Sequence, residues 1–320
     1  MTDSEVFIQQ VITGLSNGMI IALIALGYTM VYGIVELVNF AHGDLFMLGG
    51  FLALTILGMV GVDPDTAGTI IAAPQLVLMF LFVPLFCGLL NWTVDRLAYR
   101  PLRNAPRLAP LVSAIGVSFI FLNIGLFWGG LPMEVFNDGN SAAAPKDFPV
   151  LLPFDNMLGD SMIQFTLREL MVFVITIPLM LGLTLLVKFT RVGKAMRAVA
   201  QNPTAARLMG VDVDRIIGWT FIIGGALAGV ASVVYATYNN TIYFQMGFRV
   251  GIDAFTAAVL GGIGNLPGAV LGGLLIGLIR AMSDQYIATQ WTNVMVFSIL
   301  ILVLVFRPSG LLGAHTREKV

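Results

Sequence analysis

Charge is scarce in this chain. Asp, Glu, Lys and Arg make up 11% of its 320 residues, against 58% apolar residues and a mean hydropathy of +0.90. Soluble domains carry about 25% charged residues, so a globule of this length could not be coated. Cysteine is scarcer still: Cys87 stands alone, which excludes a disulfide framework and any multi-cysteine metal site. The two histidines, His42 and His315, lie outside any H-E-x-x-H, which excludes a zinc-protease site. Gly-Lys occurs once, at Gly193-Lys194, with Lys188 where a P-loop needs its first glycine, so the chain has no Walker A. A formal net charge of −1 gives no reason to expect nucleic acid as a partner. The composition is that of an all-α polytopic membrane protein.

Apolar runs and glycine are what the chain has in plenty. A bilayer core needs about 20 predominantly apolar residues per helix. This gives spans near 8–34, 42–61, 70–92, 108–130, 169–188, 216–238 and 290–306. The stretch 254–283 is also apolar but is broken by Gly261, Gly262, Gly264 and Pro267. The expectation is about eight transmembrane helices in one domain over residues 1–320. The start carries Asp3 and Glu5 and no Lys or Arg before the first span. A cleavable signal needs a positive n-region, so the first span is expected to stay in the mature chain.

Thirteen of the seventeen Lys and Arg fall in 95–107, in 188–215 and in the tail from Arg307. The positive-inside rule makes those regions cytoplasmic. The loop 131–168, with Glu134, Asp138, Asp147, Asp155 and Asp160 against Lys146 and Arg168, is then external, as are the N-terminus and the loop 239–253. Parity leaves 254–283 with no net crossing. It is a re-entrant hairpin, or two short helices hinged at Asn265-Leu266-Pro267-Gly268. Non-helical backbone at membrane depth survives only inside protein or beside a wet cavity.

The first half holds a counterpart. Val35 to Asp44 carries Glu36, His42 and Asp44 and no Lys or Arg, which reads as a break inside the membrane. Two interrupted segments, one per half, point to a transport path. Candidate path residues are Asn39, His42, Asp44, Asn123, Asp253 and Asn265, polar groups near predicted membrane ends or breaks. Each has a plain alternative. His42, for example, either lines or gates a path or is a neutral imidazole satisfied by a backbone carbonyl. Ser118 with His42 is the nearest approach to an intramembrane serine-protease pair, on a weak Gly-x-Ser signal. Tyr28 and Tyr32 share a helix face and read as packing or interface residues. The G-x-x-x-G spacings Gly225/Gly229, Gly264/Gly268/Gly272 and Gly273/Gly277 fit either packing within the chain or a seam with a second subunit. A rival function is a proton- or sodium-driven carrier, with Glu36, His42 and Asp44 as coupling groups.

The cytoplasmic loop 189–215 contains a capped element. Asn202 is a good N-cap, Pro203 fits N1, and Ala205, Ala206, Leu208 and Met209 precede a Gly210 stop. This predicts a surface helix of about two turns whose apolar side chains fit either a protein partner or the chain's own helix ends. Ala205 to Gly210 resembles the A-A-x-x-x-G core of the coupling helix in ABC importer permeases, with Thr204 in place of the leading Glu and no hydrophobic-Pro ending. Other segments carry a more specific likeness: Leu26-Gly27-Tyr28-Thr29-Met30-Val31-Tyr32-Gly33, Asn39-Phe40-Ala41-His42-Gly43, Ala98-Tyr99-Arg100-Pro101-Leu102-Arg103, Ser113-Ala114-Ile115-Gly116, Ala254 to Gly268, and Arg307 to Gly313. Together they resemble the membrane subunit of branched-chain amino acid ABC importers, in its shorter H-type form.

That resemblance implies a bacterial inner-membrane permease that pairs with a second, M-type permease. Two cytoplasmic ATPases would hold ATP and Mg, so that no cofactor sits in this chain, and a periplasmic binding protein would deliver leucine, isoleucine or valine. The same architecture serves amides, urea and other amino acids.

Overall fold

Backbone groups at membrane depth have no water to bond and must pair within their own segment, and the apolar runs accordingly fold as helices. The computed structural model describes residues 2–35, 39–61, 72–103, 105–106, 108–159 and 161–313. Within them the helices are α1 (Asp3–Val35), α2 (Ala41–Val60), α3 (Ala73–Val94), α4 (Leu108–Trp128), α5 (Leu167–Phe189), α6 (Arg191–Gln201), α7 (Pro203–Leu208), α8 (Val213–Asn239), α9 (Met246–Gly261), α10 (Leu266–Tyr286) and α11 (Thr292–Phe306). Among the described residues eight segments are long and apolar enough to cross a membrane: α1, α2, α3 with its extension to Leu102, α4, α5, α8, α10 and Thr289–Phe306. The chain is a multi-pass membrane protein.

The ends of these helices sort onto two faces. Gln9 donates to the Gln164 carbonyl and accepts from its N–H, which puts the N-terminus beside the 131–168 loop. A two-residue antiparallel ladder, Lys146–Asp147 (β1) against Thr241–Ile242 (β2), puts the loop after α8 on that same face. There Lys146 is buried, and its ammonium donates to the carbonyls of Phe136, Asn140 and Ser141 at 3.1–3.2 Å. Burial pushes that ammonium below the ordinary lysine range. On the opposite face Arg100 and Arg103 bind Asp214, and the Leu311 N–H donates to the Leu260 carbonyl. The described basic segments therefore share one face. Arg107, Asp160, His315, Arg317 and Lys319 lie outside the described residues.

Helices α1, α2 and α8 form the interior, each with 72% of its most apolar stretch buried, whereas α4 and α11 have 17% and 11% buried. Small residues set the close approaches. Gly273 and Gly277 pack against Ala22, Gly14 and Gly18 of α1, Gly225 and Gly229 against α3, and Gly268 and Gly272 against α9. The described G-x-x-x-G spacings serve packing within this chain, with Gly264 beside Gly33.

The broken stretch differs from expectation in two ways. The bend lies at 262–265, one step before the proposed hinge, and Leu266-Pro267-Gly268 already form the first turn of α10. Nor are both arms short: α9 has 16 residues, but α10 has 21 and is long and apolar enough to cross a membrane. The arms run antiparallel, Gly261 facing Gly268 and Ala257 facing Gly272, and the bend sits beside Gly33 and the 309–313 tail on the basic face. Asn265 decides where the bend ends, because its side chain caps the Gly268 N–H and leaves Pro267 in the first turn, where no N–H is needed. The loop 189–215 also holds more structure than the one predicted helix. Thr190 caps α6 by accepting from Gly193, and Met196 and Val199 turn inward one helical turn apart.

Candidate functional site

The first break is built on close contacts of α2 with α1 and α9. Gly43 has no side chain to hold off the backbones of Gly247 and Gly251, and Gly27 leaves space on α1 that the His42 imidazole fills. His42 and Asp44 are consequently 1% and 2% exposed. The Tyr28 ring meets His42 edge-on at 4.7 Å between centroids. Neither imidazole nitrogen of His42 reaches full hydrogen-bond geometry with a partner among the described residues, although the ring lies beside the Ile24 backbone. The Ser118 hydroxyl donates to Asp44 Oδ2, while Oδ1 has no partner among the described residues. Ser118 thus engages a carboxylate and not His42.

Asn39 closes the other side of this break. Its Nδ2 donates to Asn91 Oδ1 at 3.1 Å, its Oδ1 accepts from the Tyr99 hydroxyl at 3.1 Å, and Asn91 Nδ2 donates to the Phe221 carbonyl at 2.7 Å. Buried polar groups of this kind stabilise only when each finds its partner. Sequence reasoning missed Asn91 and Tyr99. The available signal was an asparagine inside an otherwise apolar run.

The remaining candidates stand apart from this cluster. Asn123 lies on the exposed face of α4 and donates to its own helix at the Phe119 carbonyl. Asp253 binds the Arg280 guanidinium, which also donates to Asn293; Arg280 too was missed. Asn265 ties the bend to the tail through the Leu312 carbonyl. Glu36 lies outside the described residues.

On the basic face, Asn202 Oδ1 accepts from the Ala205 N–H at 2.9 Å and Pro203 occupies the first turn of α7. Gly210 takes φ +82, a left-handed conformation suited to glycine, and donates to the Arg207 carbonyl at 3.0 Å. Ala206 faces inward, Ala205 is exposed, and Leu208 and Met209 are each 84% exposed. Behind α7, Met196 and Arg197 of α6 share a cavity of about 110 Å³ with Gly33, Gly264 and Leu266.

These features define a multi-pass α-helical membrane protein with its polar chemistry buried around helix breaks and an apolar knob projecting from its basic face. The family model described as branched-chain amino acid transport system, permease component, matches residues 10–305. The chain belongs to that permease family. It is 40% identical, over 98% of both chains, to the high-affinity branched-chain amino acid transport system permease protein BraD of Pseudomonas aeruginosa. It is 38% identical, over 98% of both, to the corresponding protein LivH of Escherichia coli. A more distant likeness, 32% identity over 41% of this chain and 40% of the relative, is to the autoinducer 2 import system permease protein LsrC of Yersinia pseudotuberculosis. No solved structure matches.

Proposed function

We propose that this chain is the H-type permease subunit of a binding-protein-dependent ABC importer for branched-chain amino acids. The observation that carries the reading is its full-length kinship with proteins named for that transport. The chain would sit in the bacterial inner membrane with its N-terminus periplasmic and its basic face cytoplasmic, beside an M-type permease. Two ATPases would dock beneath and hold ATP and Mg, and a periplasmic binding protein would present the substrate above.

In this reading α7 seats in an ATPase through Leu208 and Met209, as the coupling helix. Helix α6 then acts as a lever. It follows α5 after a single residue, Thr190, and Arg197 donates to the carbonyls of Val187 and Lys188 at the end of α5. It also packs against the end of α1 and the bend at 262–265. Closure of the ATPases on ATP would push α6 and shift both helix breaks. The free energy for the change comes from ATP in the partner subunits, since a ligand moves an equilibrium only by its differential affinity for the two states.

The test is affinity purification of the tagged chain in mild detergent, followed by uptake in proteoliposomes. Recovery of a second permease and P-loop ATPases, with ATP-dependent uptake of leucine, isoleucine or valine, is the expected result. Uptake of amides or urea instead would move the substrate. A chain recovered without an ATPase that moves solute on an ion gradient alone would replace the reading with a secondary carrier. Ala205→Arg places a charged side chain on the exposed face of α7; uptake is expected to be abolished while the membrane level of the chain is unchanged.

A further inference from the structure

A cavity of about 340 Å³ lies among α1, α8, α9 and α10 on the face of the N-terminus. Its volume falls within the roughly 300–1,000 Å³ of small-molecule sites. Two guanidinium and two carboxylate groups line it: Arg249, Arg280, Asp253 and Asp284. Ile20 and Val250 add apolar surface. We infer that this cavity is an entry site for a free zwitterionic α-amino acid, which it receives before the solute passes the first helix break. The inference rests on the proposed function and adds a place and a chemistry to it.

The charge balance selects the ligand. Two fixed cations facing two fixed anions give no net attraction to a simple anion or cation. A zwitterion satisfies both signs at once, its carboxylate toward guanidinium and its ammonium toward carboxylate, and charge-assisted bonds of this kind are the stronger ones. The apolar wall takes the side chain. The groups are also not fully consumed by one another. Arg280 uses Nη2 for Asp253 and Asn293, and its Nε, though buried, has no partner among the described residues. Among the described residues Asp284 accepts only from the Thr292 hydroxyl, and Arg249 is exposed at the rim with no hydrogen bond or ion pair to another described side chain. A purely structural ion pair between α9 and α10 would need Asp253 and Arg280 alone.

The experiment uses the whole importer in proteoliposomes, with labelled leucine as the probe and two readouts: uptake, and ATP hydrolysis stimulated by the loaded binding protein. Arg249→Gln and Asp284→Asn alter the rim, and the double variant Asp253→Arg with Arg280→Asp keeps the ion pair but inverts the field. Each is expected to lower uptake by about tenfold or more, the size of a lost charge-assisted hydrogen bond, with stimulated ATP hydrolysis within about twofold of the parent. Normal uptake by the inverted pair overturns the inference, because the pair is then structural. Loss of stimulated ATP hydrolysis in step with uptake also overturns it, by making the rim a contact for the binding protein. Normal uptake by the rim variants beside a working parent overturns this inference alone. A parent importer that takes up no branched-chain amino acid overturns the proposed function and this inference with it.

Discussion

The two interrupted segments hold corresponding positions in the two halves of the chain, without a residue-level repeat, and are fastened by different means. The break before α2 adds side-chain bonds to its Gly43 contact: Asn39 to Asn91 and Tyr99, and Asp44 to Ser118. The bend between α9 and α10 is fastened mainly by backbone, through Gly261, Gly268 and Gly272 at close approach and through the Asn265 cap. A backbone-packed bend tolerates no added volume and carries little chemistry. A break fastened partly by side chains depends on a few polar bonds and is the more adaptable of the two. The same break in hydropathy can thus mark a rigid corner or a polar junction.

Three substitutions put this contrast at risk. The largest effect is expected from Gly272→Val, whose side chain would overlap the Ala257 carbonyl oxygen. Overpacking a tight contact costs about 1–3 kcal/mol and occasionally more, and here rigid backbone stands in the way. Accumulation of the chain in the membrane should fall sharply, as read by immunoblot, and normal accumulation would show that α9 and α10 are not interlocked. Asn91→Leu comes next. It leaves the Asn39 amide and the Phe221 carbonyl without their partner, a loss of about 1–3 kcal/mol, so the purified complex should melt lower while still assembling. An unchanged melting temperature would remove the polar junction from the account. Asn265→Ala should have the smallest effect, about 1 kcal/mol for the lost N-cap. A loss much larger than that, by denaturant titration, would mean that its bond to the Leu312 carbonyl matters more than the cap.

Much of the architecture was legible in the sequence. The spans followed from hydropathy, the grouping of basic segments on one face from the distribution of Lys and Arg, and α7 from Asn202, Pro203 and Gly210. Helix α6 was missed, although Thr190 and the inward spacing of Met196 and Val199 were there to be read. The candidate site fared differently. Asn39, His42 and Asp44 meet at one buried break, while Asn123, an equally apt candidate, points outward from α4. Asp253 and Asn265 each took a different partner, Arg280 and the tail.

The dividing line has a physical cause. Apolarity, charge excess and helix caps are local properties of a run of residues, so they determine how many helices form, where they end and which ends share a face. The rotation of each helix about its axis is not local. Helices such as α3 and α4 are apolar almost all round, so their periodicity does not tell the inward face from the outward one. Only packing against neighbours through particular glycines turned Asn91 inward to Asn39, turned Asn123 outward, and brought Arg280 onto Asp253.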